Sequence, residues 1–108
     1  MNAIRTWIIK SKHLNPNGFY VKVDASDFYT AYWVANTSNS QQAISLTLET
    51  SDELDLGQTE IQETIEYSGQ QISNTPEVDA AIHAAIEKHT ISNDVQLAAW
   101  VSSQGGKW

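Results

Sequence analysis

The chain has 108 residues, a net charge of −7, 41% hydrophobic residues and no cysteine. That length suits one domain with a single core, and the missing cysteine excludes disulfide frameworks, thiolate metal sites, iron–sulfur clusters and cysteine nucleophiles. No apolar run approaches the roughly 20 residues of a membrane span, and the opening residues lack the apolar stretch of a secretory signal, so a cytoplasmic protein without membrane contact is expected.

The first predicted element is a strand, Arg5-Thr-Trp-Ile-Ile-Lys-Ser. Asn15-Pro-Asn-Gly18 follows as a turn, because proline presets φ and glycine accepts a positive one; His13 is assigned to that turn. Residues 19–24 alternate, with Phe19, Val21 and Val23 on one face and Tyr20, Lys22 and Asp24 on the other. A third strand runs from Phe28 to Asn36, with Phe28, Tyr32 and Val34 opposite Tyr29 and Trp33. After the polar loop 36–42, Ile44, Leu46 and Leu48 alternate in a predicted fourth strand. Residues 59–67 read as a fifth, since Thr, Ile and Tyr favour it, although Glu63 then shares a face with Ile61 and Ile65. The competing helix would start at Thr59 with Gln62 and end at Gly69.

Two helices close the chain. Thr75, Pro76 and the acids Glu77 and Asp79 make a helix start, and Val78, Ala81, Ile82, Ala85 and Ile86 recur at helical spacing over 76–89. His89 at its end suits the dipole. A second helix is predicted over 93–103 from Val95, Leu97, Trp100 and Val101. The expected fold is a single α+β domain: an antiparallel meander of four or five strands over about 4–67, with both helices packed on one face.

Charge is segregated along the chain. Arg5, Lys10, Lys12 and Lys22 stand in the first 22 residues without an acid, and residues 23–87 hold twelve acids without a lysine or arginine. Glu49, Asp52, Glu53, Asp55, Glu60, Glu63 and Glu66 form its densest part. An EF-hand reading fails: with Asp52 first and Glu63 twelfth, the third and fifth positions are Leu54 and Leu56, which offer no side-chain oxygen. The plain alternative is a solvated edge that keeps the protein soluble. The functional one is an acidic face that binds a basic protein partner, in its narrowest form an inhibitor that mimics nucleic acid, as small phage anti-defence proteins do. Along a strand, Glu60 and Glu66 with their outward neighbours would approach the spacing of backbone phosphates, and direct binding of duplex DNA is not expected.

Two rivals come from other residues. Tyr20, Lys22, Tyr29, Tyr32 and Trp33 suggest an aromatic and basic face for single-stranded nucleic acid or oligosaccharide, or, without a ligand, a contact between copies in a homo-oligomer. Asp79, His83 and Glu87, four apart on one helix, are a weak metal or acid–base candidate. No nucleophile elbow, phosphate-binding loop or dinucleotide-binding sequence occurs, so a non-enzymatic protein without a cofactor is expected.

Overall fold

A computed structural model describes residues 3–14 and 28–102. The predicted turn at 15–18, the strand at 19–24, Asp24 and Asp27 lie outside the described residues. The element order is β1 (Arg5–Leu14), β2 (Tyr29–Thr37), α1 (Ser40–Glu53), β3 (Gln58–Glu66), α2 (Pro76–Lys88) and β4 (Asp94–Ser102). The strands form one antiparallel sheet in the order β3-β1-β2-β4. This α+β arrangement bears out the predicted strands β1, β2 and β3 and the helix α2.

Two elements differ. Residues 43–50 are part of a helix and not a strand. Its buried stripe is Ala43, Thr47 and Ser51, four apart as a helix face requires; being small and partly polar, it is masked in sequence by the alternating Ile44, Leu46 and Leu48. Asn39 caps the helix by accepting from the Gln42 amide at 2.8 Å, as an asparagine N-cap does. Residues 94–102 are a strand and not a helix. A bulge between Tyr32 and Trp33 leaves Ala98 without a paired residue, so Leu97 lies opposite Trp33 and Trp100 opposite Ala31. The extra residue breaks the period-two pattern, which is why the spacing imitates a helix.

The helices therefore do not share a face. α1 joins the core cluster of Ile9, Tyr29, Ala31, Trp33, Ala35, Val95 and Trp100 through Ala43 and Leu56. α2 joins Ile8, Val34 and Ala99 through Val78, Ile82 and Ala85. Ile8 and Ile9 are successive strand residues and point to opposite sides, so the sheet lies between the two helices. Covered on both sides, β2 reads as an almost continuous apolar run. Trp33 and Trp100 are among the largest fully buried side chains, and aromatic rings of that size bury much apolar area each.

β3 carries a bulge of its own. Lys10 lies opposite Glu63 but Ser11 lies opposite Ile61, leaving Gln62 unpaired. Ile61 consequently packs on the α1 side and Ile65 on the α2 side, and Glu63 shares a face with Glu60. Deleting Gln62 would restore a regular ladder without moving either face. The shortened chain should fold to the same sheet with stability changed by less than about 1 kcal/mol; a urea titration tests this, and failure to fold would refute the assigned register.

Candidate interaction surface

β1 neutralises part of the acidic segment. Glu63 and Glu60 face Lys10 and Lys12 across the β1–β3 pair, and Arg5 Nη1 lies 3.3 Å from Glu66 Oε1. Such exposed pairs are worth about 0.2–1 kcal/mol each. The lysines are braced from the other side too: Lys10 Nζ is 6.0 Å from the Tyr32 ring centroid and Lys12 Nζ is 4.6 Å from that of Phe28. The bulge also sets Glu66 on the α1 side, in register with Trp7, and Glu60 on the α2 side, in register with Lys12. The expected row of phosphate-like carboxylates along β3 is thus broken.

Glu49, Asp52, Glu53 and Asp55 are different. All four are exposed, and neither ion pair among the described residues involves them. Glu49, Asp52 and Glu53 stand in the last turns of α1, which has no acid in its first turn and no basic residue in its last. Carboxylates there oppose the helix dipole at about 0.3–1 kcal/mol each. The helix ends in a Schellman motif: the Leu56 amide donates to Ser51 O at 3.1 Å and the Asp55 amide to Asp52 O at 3.0 Å. Asp55 holds the left-handed position of that motif, φ 57°, where glycine or asparagine is the usual occupant.

Beneath this end of the helix lies a buried polar cluster that the sequence reading missed. β1 runs on to Leu14, so His13 is not in a turn but continues the face of Trp7, Ile9 and Ser11 into the core, fully buried. Its Nε2 is 2.6 Å from Ser11 Oγ, which also accepts from Trp33 Nε1 at 2.9 Å. Nδ1 is 3.2 Å from Thr59 Oγ1 and 3.5 Å from Ser51 Oγ, and those two hydroxyls are 2.7 Å apart. Burial pushes the imidazole down to about 4, against a backbone hydrogen bond at Leu56 that raises it. A serine beside a histidine has the atoms of a nucleophile and base; here both are wholly buried. The signal was the run of polar residues at inward parity, Ser11 and His13.

On the other side, Asp79, His83 and Tyr67 form a chain. Asp79 Oδ2 is 3.2 Å from His83 Nε2, and His83 Nδ1 is 2.9 Å from the Tyr67 hydroxyl. Asp79 Oδ1 accepts the Ile72 and Ser73 amides at 2.8 and 3.1 Å. Those two amides, led by Ile72, hold its carboxyl below the usual carboxylate range, helped more weakly by His83. Glu87 is exposed, and no three potential ligands converge on a metal position among the described residues. Both His83 nitrogens are engaged, so that Asp79 and His83 clip the loop after β3 onto α2.

The aromatic candidate does not assemble either. Tyr29 and Trp33 are buried in the α1-side core, with Tyr29 stacked on Trp100 at 5.0 Å, whereas Tyr32 lies half-buried on the α2 side beside a groove of about 260 Å³ that Lys10, Thr30 and Val101 also line. Tyr20 and Lys22 lie outside the described residues. No described helix is long and apolar enough to cross a membrane. The chain matches no family model, no curated protein and no solved structure.

Two outcomes follow. The unfolded chain takes up a proton on His13 near 6.5 and the folded chain only near 4. Between those values the unfolded state binds more protons, so stability is complete above about pH 6.5 and falls on acidification, by up to about 3 kcal/mol; denaturant midpoints between pH 7 and 4.5 measure it. Replacing Asp79 by Ala should expose the Ile72 and Ser73 amides to hydrogen exchange while leaving the β1–β2 amides protected.

Proposed function

We propose that this is a non-enzymatic acidic interaction protein whose contact surface, the carboxyl end of α1 with Glu49, Asp52, Glu53 and Asp55, engages a basic surface of a protein partner. One observation carries the reading: these four carboxylates sit where they oppose the helix dipole, one of them in a left-handed backbone position, with no described base to offset them. Solubility alone does not require acids at the negative end of a helix; any exposed position would serve. A cationic partner would turn the local repulsion into attraction, speeding association and fixing orientation.

Glu60, Glu63 and Glu66 are secondary contacts in this reading, because Lys12, Lys10 and Arg5 compete for them. The partner's basic surface is of the kind that grips a nucleic-acid backbone, and inhibition by occupying that surface is the narrow form of the proposal. The four acids end one helix instead of forming a row, which suits a compact basic pocket better than a long duplex groove.

The test is the triple variant Asp52→Asn, Glu53→Gln, Asp55→Asn beside the unaltered chain, each used to capture proteins from a lysate at low salt with stepwise salt elution. The unaltered chain should retain a basic protein that elutes at high salt, and the variant should bind it at least about tenfold more weakly, a loss of about 1.4 kcal/mol. The variant's thermal midpoint should stay level or rise, since the dipole penalty is relieved. Equal retention by both proteins would refute the proposal.

A further inference from the structure

His13 fastens the acidic end of α1 to the sheet, and its hydrogen-bond chain has a direction. Trp33 Nε1 can only donate, and it donates to Ser11 Oγ. The Ser11 hydroxyl hydrogen is then available to His13 Nε2 at 2.6 Å, which leaves Nδ1 as the protonated nitrogen, facing Thr59, Ser51 and the backbone at Leu56. In this uncharged form every partner is satisfied. Adding a proton at Nε2 places two donors, Trp33 Nε1 and His13 Nε2, on one serine oxygen and turns the Ser11 hydrogen away inside a fully buried site. No described carboxylate lies within ion-pair distance of the ring, and a buried cation without a counter-ion is strongly disfavoured.

We propose that His13 is an acid-released pin: uncharged, it holds residues 51–59, the end of α1 and the turn into β3, against the sheet, and on protonation it lets that segment come away while β1, β2 and β4 stay paired. The groups around the ring decide which side yields. From β2 it meets Trp33 at 6.4 Å between centroids and from β4 Trp100 at 5.1 Å; both are core residues of the paired strands. Tyr29, its register partner on β2, is the titratable group on that side, and Tyr29 is buried too. From α1 and β3 the described side chains that meet the ring are the hydroxyls of Ser51 and Thr59, with the Leu56 backbone between them in the chain. Lys12 and Glu60 share the opposite sheet face.

That hydroxyl cover is also the side nearest solvent. Asp52, Glu53, Asp55, Gly57 and Gln58 along it are exposed, and a groove of about 230 Å³ lined by Lys12, Leu14, Gln58, Thr59 and Glu60 reaches Thr59. Opening there hydrates the imidazolium and brings the carboxylates of Asp52, Glu53 and Asp55 within reach of its charge, and neither gain is open to the Trp33 side. If the acidic end is the partner contact, acidification also releases the partner; that consequence rests on the proposed function, and the opening itself does not.

Hydrogen exchange on the unaltered chain tests the pin. The Leu54, Asp55 and Leu56 amides, bonded to Thr50, Asp52 and Ser51, report the segment, and Trp33, Val34 and Ala35 report the central strand. Between pH 7.5 and 5, after correction for intrinsic rates, opening at Leu54, Asp55 and Leu56 should rise about 30-fold and be insensitive to low urea, as a local opening is. Opening of all six amides together, with the same urea dependence, would make the cluster a general stability element and overturn the pin. No rise with acid would overturn it equally. The His13 ring resonance gives a second measure: a charged ring at pH 5 with Leu54, Asp55 and Leu56 still protected would mean protonation without release, and the proposal would fall. None of these outcomes depends on a partner, so the contact surface stands or falls separately on the triple variant.

Discussion

The hydrogen-bond chain from Trp33 through Ser11 to His13 constrains most of the α1 side of the molecule. It sits among the largest buried side chains, where an unmade polar contact costs about 1–3 kcal/mol, so β1, β2, β3 and the end of α1 must all meet at one ring in one arrangement. An apolar core of the same shape would hold the layers together equally well. It would specify less closely where α1 stops, because Ser51 and Thr59 find partners in only one register. The Schellman turn at Leu54, Asp55 and Leu56 follows from that placement, with Leu56 driven fully into the core.

The other helix is fixed by a similar device in a different medium. Asp79 and His83 take hold of Tyr67 and of the Ile72 and Ser73 amides, so each helix is tied by a histidine to a tyrosine or threonine hydroxyl on or just after β3. The two ties differ in solvation. The His83 and Asp79 side chains are about one-third and one-fifth exposed, with Asp79 Oδ2 3.2 Å from His83 Nε2. His13 is fully buried, and no described carboxylate lies within ion-pair distance of it.

Much of this was legible in the residues. Strand β2 follows from alternation, β1 and β3 from their β-branched and aromatic residues, and α2 from its proline start, acidic first turn and periodic Val78, Ile82 and Ala85. α1 and β4 were misread for opposite reasons. In α1 the buried stripe is Ala43, Thr47 and Ser51, which carries little hydrophobic signal, while the larger Leu48 is exposed at 41%; the Asn39–Gln42 cap was the better guide. In β4 the signal is strong but displaced by the bulge at Ala98. The acidic residues were found as a set, yet their division was hidden, because pairing of Glu60 with Lys12 and Glu63 with Lys10 joins residues some fifty positions apart. His13 was lost because the first strand was read to end at Ser11, three residues short of Leu14.

That division changes what the charge segregation means. Read along the chain, twelve acids follow four bases as two blocks. In the fold, the basic strand β1 lies between β2 and β3, so Lys10 and Lys12 stand opposite Glu63 and Glu60 in register and near the Tyr32 and Phe28 rings. Among the described residues, Glu49, Asp52, Glu53 and Asp55 gather at one helix end without an ion pair. Removing charge there should make the protein more stable, and moving charge there from β3 would make it less so. At α2, Glu77 and Asp79 stand at the positive end and Lys88 at the negative end beside Glu87, whereas the end of α1 carries acids alone; that end coincides with the segment that His13 pins.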